Sequence, residues 1–283
     1  MPELPEIMSR AREMKNALLG KTITDVEVLQ PKCLNVPAEA FRKALARAKL
    51  LDVTYRGKWL FVETTRGWLL INLGMGGEVL LARHASLPKK RRLVIYFRDG
   101  TCLSLNFWWF GYVHYVPLNE LSRHAMTAKL GPNALDVTAT DLRTIVSGRR
   151  GAIKTLLLDQ SRIAGIGNAY VHDILFMAGL HPLRKSHTLT ESELEALAAA
   201  IEKGLRPSAK KGGAFYEVDL NGKPGRFTGK DILIGYREGK ACPVCRKKIE
   251  KIKTGSTSSF ICPSCQPLKP ARRKKLPTKK RGN

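Results

Sequence analysis

Two pairs of cysteines near the C-terminus constrain the fold of this chain more than any other feature. Each pair has the CxxC spacing, and 16 residues separate the two pairs. In a cytosolic chain such pairs are metal ligands, and each tight turn presents two thiolates to one Zn²⁺. Because cysteine fills all four positions, no place remains for water, and the spacing predicts one structural zinc. The predicted ligands are Cys242, Cys245, Cys262 and Cys265.

The segment between the two cysteine pairs is basic. It contains Lys247, Lys248, Lys251 and Lys253. A basic hairpin held by zinc is suited to contacting DNA phosphates. The alternative is a zinc ribbon that contacts protein.

The charge of the whole chain indicates a polyanionic partner. The formal net charge is +25 and the pI is about 10.1, which is typical of proteins that bind DNA, RNA or an anionic membrane surface. The tail after Gln266 holds eight Lys/Arg residues, yet without it basic residues still outnumber acidic ones 41 to 24. We expect residues 267–283 to be disordered and to add non-specific DNA affinity.

Neither a membrane span nor a secretory signal is expected. The chain has no run of 18 apolar residues, and its opening carries two glutamates before the first basic residue. We therefore expect a cytoplasmic, monomeric protein.

The first 117 residues read as one helix followed by many short strands. Apolar residues recur at helical spacing from Ile7 to Leu18, and Gly20 is suited to ending the helix. Asp99 and Gly100 form a hairpin turn signal between two β-rich runs. The pattern favours a β-sandwich or barrel. The predicted strands cover residues 50–55, 59–63, 68–73, 93–97 and 102–105.

From about residue 120 the pattern becomes helical. Helices are predicted at residues 153–159 and 169–178, on either side of a glycine-containing turn at 165–168. Thr190 and Glu193 form a capping box that predicts the start of a further helix.

The N-terminus has the residues for amine chemistry. Removal of Met1 would expose the secondary amine of Pro2, and an α-amino group with a pKa near 8 is partly neutral at physiological pH. Such an amine can attack an aldehydic sugar carbon, and Glu3 beside it could act as a general acid or base.

Ordered motifs from residue 1 to about 266 resemble the formamidopyrimidine-DNA glycosylase/endonuclease VIII family. The resemblance begins with the motif at residues 2–6 and ends with the spacing of the zinc-finger cysteines. The motifs between them lie at residues 56–58, 73–75, 110–111, 130–132, 153–154, 165–168 and 222–225, and at Arg237.

The resemblance implies an α+β protein in four parts. These are an N-terminal helix with a β-sandwich catalytic domain (1–117), a helix–two-turn–helix DNA-binding domain (118–220), a zinc-finger β-hairpin (221–266) and the basic tail (267–283). The implied partner is double-stranded DNA that contains a damaged base or an abasic site.

The resemblance also implies a reaction. Pro2 would form a Schiff base with C1′ of the damaged nucleotide, Glu3 would protonate the sugar ring oxygen, and Lys58 would contact phosphate at the lesion. Base excision and β,δ-elimination at the abasic site would follow. The implied DNA-binding residues are Met75, Trp108, Trp109, Phe110, Lys154, Asn168 and Arg237.

The main departure from the family lies just before Phe110. The family commonly has Asp-Pro-Arg-Arg there, and one of these arginines reads the base opposite the lesion, whereas this chain has Asn-Phe-Trp-Trp. Trp108 or Trp109 could fill the gap left by an everted base by stacking, or both could pack in the core.

Three further departures touch substrate choice. Thr257 stands where the zinc hairpin usually has an arginine, Met8 replaces a glutamate, and the recognition loop between Gly213 and Gly222 is slightly short. The lesion is therefore open, although Pro2 and Glu3 are intact. The alternative function is a non-catalytic zinc-finger protein that binds damaged or distorted DNA.

Overall fold

The computed structural model describes residues 1–108 and 110–268. Trp109 and most of the basic tail, residues 269–283, lie outside the described residues, and so do the predictions made for them.

The first helix, α1 (Leu4–Leu18), begins directly after its N-cap residue, Glu3. The backbone N–H of Glu3 donates to the carboxylate of Glu6 at 2.9 Å, and the two residues form a capping box. Ile7, Met14 and Leu18 are fully buried on one face, as their spacing predicts.

Two four-stranded antiparallel sheets form the N-terminal part. The strands are β1 (Ile23–Val28), β2 (Leu50–Arg56), β3 (Trp59–Thr64), β4 (Gly67–Asn72), β5 (Glu78–Arg83), β6 (Leu93–Phe97), β7 (Thr101–Asn106) and β8 (Tyr112–Val116), with α2 (Ala38–Leu45) after β1. One sheet has the strand order β1-β6-β7-β5 and the other β2-β3-β4-β8. The predicted Asp99-Gly100 hairpin joins β6 to β7.

The sheets are the two layers of a sandwich, because side chains of both enter one apolar core. Ile95 and Leu103 of the first sheet and Leu60 and Leu69 of the second belong to the same buried cluster. The predicted β-sandwich is thus confirmed.

Four helices form the second core. They are α3 (Ala139–Val146), α4 (Ile153–Leu158), α5 (Val171–Met177) and α6 (Glu191–Lys210). The predicted capping box starts α6, since the hydroxyl of Thr190 accepts from the N–H of Glu193 at 3.3 Å. Leu4 of α1 packs in this helical core, whereas Ile7 packs in the sandwich core, so α1 lies between the two.

The zinc-finger region is a short hairpin, β9 (Glu250–Thr254) and β10 (Thr257–Ile261), that packs against α5. Phe176 of α5 contributes to the same cluster as Cys242, Cys262 and Phe260. Within residues 1–108 and 110–268, no helix is both long and apolar enough to cross a membrane.

The chain does not run directly from α6 to the finger. Leu220 belongs to the sandwich core, and the N–H of Leu81 in β5 donates to its carbonyl at 2.8 Å. The segment after α6 therefore returns to the N-terminal sandwich before the zinc-finger region begins.

Candidate active site and DNA-binding surface

The carboxyl group of Glu3 is held at the junction of the two cores. It accepts hydrogen bonds from the backbone N–H groups of Gly167 at 2.6 Å and of Ala169 at 2.8 Å. Glu3 is only 3% exposed, and burial raises its pKa to about 7, although nearby Lys58 and the two N–H donors oppose this rise. At neutral pH both the acid and the base form of the group are therefore populated.

Lys58 and Glu3 meet at Gly167. A Cβ atom placed on Gly167 would lie 2.2 Å from Oε1 of Glu3 and 2.5 Å from Nζ of Lys58, so only glycine leaves room for both. Lys58 is 8% exposed, and burial lowers its pKa while Glu3 and Glu6 act in the opposite direction. The structure thus brings two of the predicted catalytic residues together.

Pro2, the third predicted catalytic residue, is buried next to Glu3. Its nitrogen carries Met1, whose own amine lies 3.6 Å from Oε1 of Glu217. Glu217 is 8% exposed and belongs to the loop after α6. The N-terminal amine thus forms an ion pair with Glu217.

Glu6 is the site residue to which the sequence reasoning gave no role. Its Oε1 accepts from the hydroxyl of Tyr170 at 2.5 Å and from the N–H of Ala214 at 3.0 Å. Together with the capping bond to Glu3, these contacts join α1 to the residue before α5 and to the loop after α6. The Glu-x-x-Glu spacing at residues 3–6, a capping-box pattern, was the signal that could have found it.

Three of the predicted DNA-contacting side chains are exposed apolar groups. Met75 is 53% exposed, Trp108 is 65% exposed and Phe110 is 70% exposed. The N–H of Trp108 donates to the carbonyl of Met75 at 3.1 Å, which joins their two loops. Phe110 has a φ of 55°, a left-handed conformation that is unusual for a bulky residue and that is found most often at functional sites.

Trp108 does not pack in the core. Its indole lies over Gly76, where an added Cβ would be 3.1 Å from the ring. Phe107 instead fills the core position: it is 1% exposed, and its ring leaves no space for a side chain at Gly111. Core packing, one of the two roles considered for Trp108, is therefore filled by its neighbour Phe107. Trp108 itself is exposed to solvent.

The side chain of Lys154 is hydrogen-bonded to the hairpin of the zinc-finger region. Its ammonium donates to the hydroxyls of Thr254 at 3.2 Å and Thr257 at 3.0 Å and to the carbonyl of Ser258 at 2.6 Å. Lys154 is 2% exposed, and burial lowers its pKa to about 8. In this structure its three N–H groups therefore link α4 to the finger.

Tyr236 is hydrogen-bonded to Asn168 and precedes Arg237 in the chain. The hydroxyl of Tyr236 donates to the carbonyl of Asn168 at 3.4 Å, and Nη1 of Arg237 donates to the carbonyl of Ile232 at 2.7 Å. Among the described residues the buried Oδ1 of Asn168 has no hydrogen-bond partner. The side-chain amide of Asn168 thus has hydrogen-bonding capacity left for a ligand.

The four C-terminal cysteines form a structural zinc site. Their Sγ atoms all lie within 4.8 Å of one another, and the closest pair, Cys245 and Cys262, is 3.3 Å apart. Four thiols in one cluster match the tetrahedral donor set of a structural zinc. Cys33 and Cys102, the other two cysteines, are isolated and buried as expected.

Models of protein families match the chain in three consecutive parts. Residues 1–107 match the formamidopyrimidine-DNA glycosylase N-terminal domain, residues 130–218 match the helix–two-turn–helix domain of the same enzymes, and residues 239–268 match the zinc finger found in these glycosylases and in isoleucyl-tRNA synthetases.

Curated relatives match over nearly the full chain. A formamidopyrimidine-DNA glycosylase from Pelotomaculum thermopropionicum is 36% identical over 95% of this chain and 100% of its own length. The one from Gluconobacter oxydans is 36% identical over 94% of this chain and 100% of its own length.

Solved structures show the same fold. A Lactococcus lactis enzyme of this kind, bound to DNA containing an abasic site, superposes with a TM-score of 0.85 at 26% identity and covers 94% of this chain and 99% of its own. Sandwich, helix–two-turn–helix and four-cysteine finger define a DNA glycosylase architecture. The chain belongs to the formamidopyrimidine-DNA glycosylase family.

Proposed function

We propose that this protein is a bifunctional DNA glycosylase and abasic-site lyase of base excision repair. The observation that carries the proposal is the buried carboxyl of Glu3, held by two backbone N–H groups beside Pro2 and close to Lys58. The similar Lactococcus lactis structures contain DNA with an abasic site or a modified guanine, which supports damaged double-stranded DNA as the partner.

The chemistry begins with the amine of Pro2 after Met1 is removed. Its nitrogen bonds to C1′ of the damaged nucleotide as the bond from C1′ to the base breaks. The base leaves with that electron pair and takes up the proton that the proline nitrogen loses. Opening of the sugar ring places a negative charge on O4′, and the carboxyl of Glu3 supplies the proton that neutralises it. The product is an iminium ion between Pro2 and C1′.

The iminium ion then acts as the electron sink for strand cleavage. Loss of a proton from C2′ expels the 3′-phosphate, and loss of a second proton expels the 5′-phosphate, which together make β,δ-elimination. Glu3, with its pKa of about 7, can take up and release protons at neutral pH without a change of position.

Phosphate contacts would position the everted nucleotide. Lys58 lies beside Glu3 at the catalytic junction, which supports its contact to phosphate at the lesion. Asn168, next to Gly167 in the turn before α5, would contact phosphate through its side-chain NH2 group, because its Oδ1 can only accept a hydrogen bond. Arg237 would contact phosphate from the segment before the finger. Lys154 would support DNA binding by holding the zinc hairpin in place. The exposed Lys251 of that hairpin adds positive charge.

The exposed apolar side chains would fill the gap left by the everted base. Met75, Trp108 and Phe110 extend from neighbouring loops, and stacking on an indole contributes roughly 1–3 kcal/mol per base. Trp109 belongs to this proposal by sequence alone. A tryptophan lacks the donor fork of the usual arginine, so the base opposite the lesion would be read weakly.

The metal content, domain limits and location of the protein are also proposed. We propose one zinc per monomer, the domain limits 1–117, 118–220, 221–266 and 267–283, and a cytoplasmic location on the nucleoid if the host is a bacterium. The formal net charge of +25 supports association with DNA there.

Single-turnover excision from a panel of lesion duplexes tests the proposal. The duplexes contain formamidopyrimidine-guanine, 8-oxoguanine or an oxidised pyrimidine. We expect the protein to release free base from at least one of these three duplexes. Glu3→Gln should excise intact lesions much more slowly than it cleaves preformed abasic DNA, since that substrate has already lost its base. Binding without excision of any lesion or cleavage of abasic DNA would favour the non-catalytic alternative.

A further inference from the structure

A pair of histidines joins the sandwich to the segment that follows it. Nδ1 of His114 in β8 lies 2.8 Å from Nε2 of His124, so one of these ring nitrogens donates a hydrogen bond and the other accepts it. The second ring nitrogen of His124, Nδ1, lies 2.8 Å from the hydroxyl of Thr127. His124 and Thr127 belong to residues 117–131, the linker between β8 and the helical domain. The imidazole pair, His114 and His124, is thus a side-chain contact between the sandwich and this linker.

The imidazole pair lies beside an apolar cluster in which the linker meets both domains. His114 is 7% exposed and His124 is 9% exposed, and the ring centroid of Trp59 lies 5.9 Å from the first and 5.8 Å from the second. The cluster that contains Trp59 also contains Leu130 of the linker and Ala164 of the helical domain. The two imidazoles are therefore shielded from water at a place that joins the domains.

The middle of the linker depends on His124 for its attachment. The short 3₁₀ helix at its start, Leu118–Arg123, contains no buried side chain. At the other end, Arg56 of β2 donates to the carbonyl of Leu130. Between these two parts, the backbone N–H of Thr127 donates to the carbonyl of His124 at 3.2 Å, so His124 holds the turn as well as the contact to β8.

Among the described residues, neither imidazole is paired with a carboxylate. The charge that acts on the pKa of His114 is that of His124. Alternation along the paired strands places Arg56 and Glu63 on the same face of the sheet as His114, and Arg56 is hydrogen-bonded to the linker. The ring of Tyr112, 5.4 Å from that of His114, is uncharged at acidic pH. The charged side chains of the linker and of residues 160–165 are at least partly exposed, and they are Glu120, Arg123, Lys129 and Arg162.

The contact requires that the two imidazoles are not both charged. One of the two facing nitrogens must be free of a proton in order to accept from the other. Burial lowers the pKa of His114 to about 4, the charge of His124 acts in the same direction, and burial also lowers the pKa of His124. The neutral rings therefore stabilise the closed linker above the ordinary imidazole pKa of about 6.5, and this stabilisation is lost as pH falls toward the lower pKa of the folded state.

We propose that the imidazole pair is an acid-sensitive contact that holds the linker on the sandwich and releases it when both rings take up protons. Release loosens the junction between the domains, where the N–H groups of Gly167 and Ala169 hold the carboxyl group of Glu3. Each proton taken up on release raises the opening constant by up to about tenfold per pH unit below about 6.5, and two protons raise it by up to about a hundredfold. Opening of the linker can be measured without DNA, so this inference does not depend on the proposed glycosylase function.

Hydrogen exchange of the linker at pH 7 and at pH 5, expressed as protection factors, tests the proposal. The reporters are the N–H groups of Thr127, Ala128 and Leu130, which are hydrogen-bonded within the linker, and the reference is the core strands β6 and β7.

The variants replace the imidazoles by amides, which keep hydrogen-bonding groups near the ring nitrogens but do not titrate. Wild type is compared with His114→Asn, with His124→Gln and with the double variant. The control is His84→Gln, which removes an exposed histidine outside the linker and leaves the imidazole pair intact.

In wild type and in His84→Gln, protection of the linker should fall by about a hundredfold between pH 7 and pH 5, whereas β6 and β7 keep theirs. Each single variant should lose about tenfold, and the double variant should stay within about threefold, because fewer protons are taken up on opening. If the double variant does not fold, the comparison of wild type with the two single variants decides the question. Equal protection of the wild-type linker at both pH values would overturn the proposal. An undiminished loss in the amide variants would also overturn it, as would an equal loss in β6 and β7, which would indicate global unfolding by acid.

Discussion

Glu3 and Gly167 are 164 positions apart in the chain, yet the N–H of Gly167 donates to the carboxyl of Glu3 at 2.6 Å. This bond joins the residue that caps α1 to the turn between α4 and α5. The carboxyl group that we propose as catalytic is therefore positioned by the helical domain, although it belongs to the end of the chain that precedes the sandwich. A correct junction between the two cores is a condition for chemistry.

Gly167→Ala should disable the site without unfolding the protein. The new methyl group would collide with both Glu3 and Lys58, and a displacement of about 1 Å at reacting groups costs on the order of a hundredfold in rate. The matched control is Gly229→Ala, whose added Cβ has nothing within 4 Å. Single-turnover excision and melting temperature should be measured for both. Full activity of Gly167→Ala would show that the close contact is not needed.

The raised pKa of Glu3 predicts the pH profile of base excision. As an acid, Glu3 must be protonated, and that form is lost as pH rises through about 7. The amine of Pro2 must be neutral, and that form is gained as pH rises through about 8. The rate should therefore peak between these two values and fall about tenfold per pH unit on either side.

Glu3→Gln provides the control for that assignment, because an amide does not titrate. Its residual excision should keep the ascending limb, which belongs to the amine, and lose the descending one. A descending limb that persists unchanged in Glu3→Gln would assign it to another group.

Trp108 should matter for duplex DNA more than for stability. Because Trp108 is 65% exposed, Trp108→Ala should hardly change the melting temperature, while excision from duplex DNA should slow and cleavage of single-stranded abasic DNA should be spared. Discrimination among opposite bases by the wild type should stay within about tenfold, or roughly 1.4 kcal/mol.

Phe107→Ala is the matched comparison. Phe107 is 1% exposed, so its truncation should destabilise the fold by about 3–5 kcal/mol and reduce activity on both substrates alike. If Trp108→Ala behaves in the same way, the gap-filling role is wrong.

Local patterns in the sequence predicted much of this structure. The clustering of the four cysteines, the Asp99-Gly100 hairpin and the Thr190 capping box each depend on residues close together in the chain, and all three are confirmed. The helix predicted at 169–178 runs from Val171 to Met177, a difference at its ends only.

Contacts between distant segments could not be predicted in this way. Lys154 was expected to contact DNA, but its partners lie about a hundred residues later in β9 and β10. The same holds for Glu217, whose place beside Met1 depends on the return of the chain from α6 to the sandwich. Phe107 is buried and its neighbour Trp108 is exposed. Because both side chains are large and apolar, the sequence does not indicate which of them enters the core.

Removal of the metal should release the hairpin and weaken DNA binding. The cluster around Cys262 is small, and in such modules the free energy of metal binding is folding free energy. Cys262→Ser should lose its zinc by elemental analysis and show faster hydrogen exchange in β9 and β10. Cys33→Ala, which changes an isolated cysteine, should retain one zinc per chain. Wild-type activity in protein that contains no zinc would contradict the structural role.

Covalent trapping at Pro2 tests the central claim most directly. The protein is incubated with abasic duplex DNA and borohydride, and the adduct is digested and mapped by mass spectrometry. We expect the adduct on the peptide that begins with Pro2, and we expect none when Met1 is retained, because the proline nitrogen is then an amide. An adduct that maps to Lys58, or one formed undiminished by protein that keeps Met1, would contradict the account.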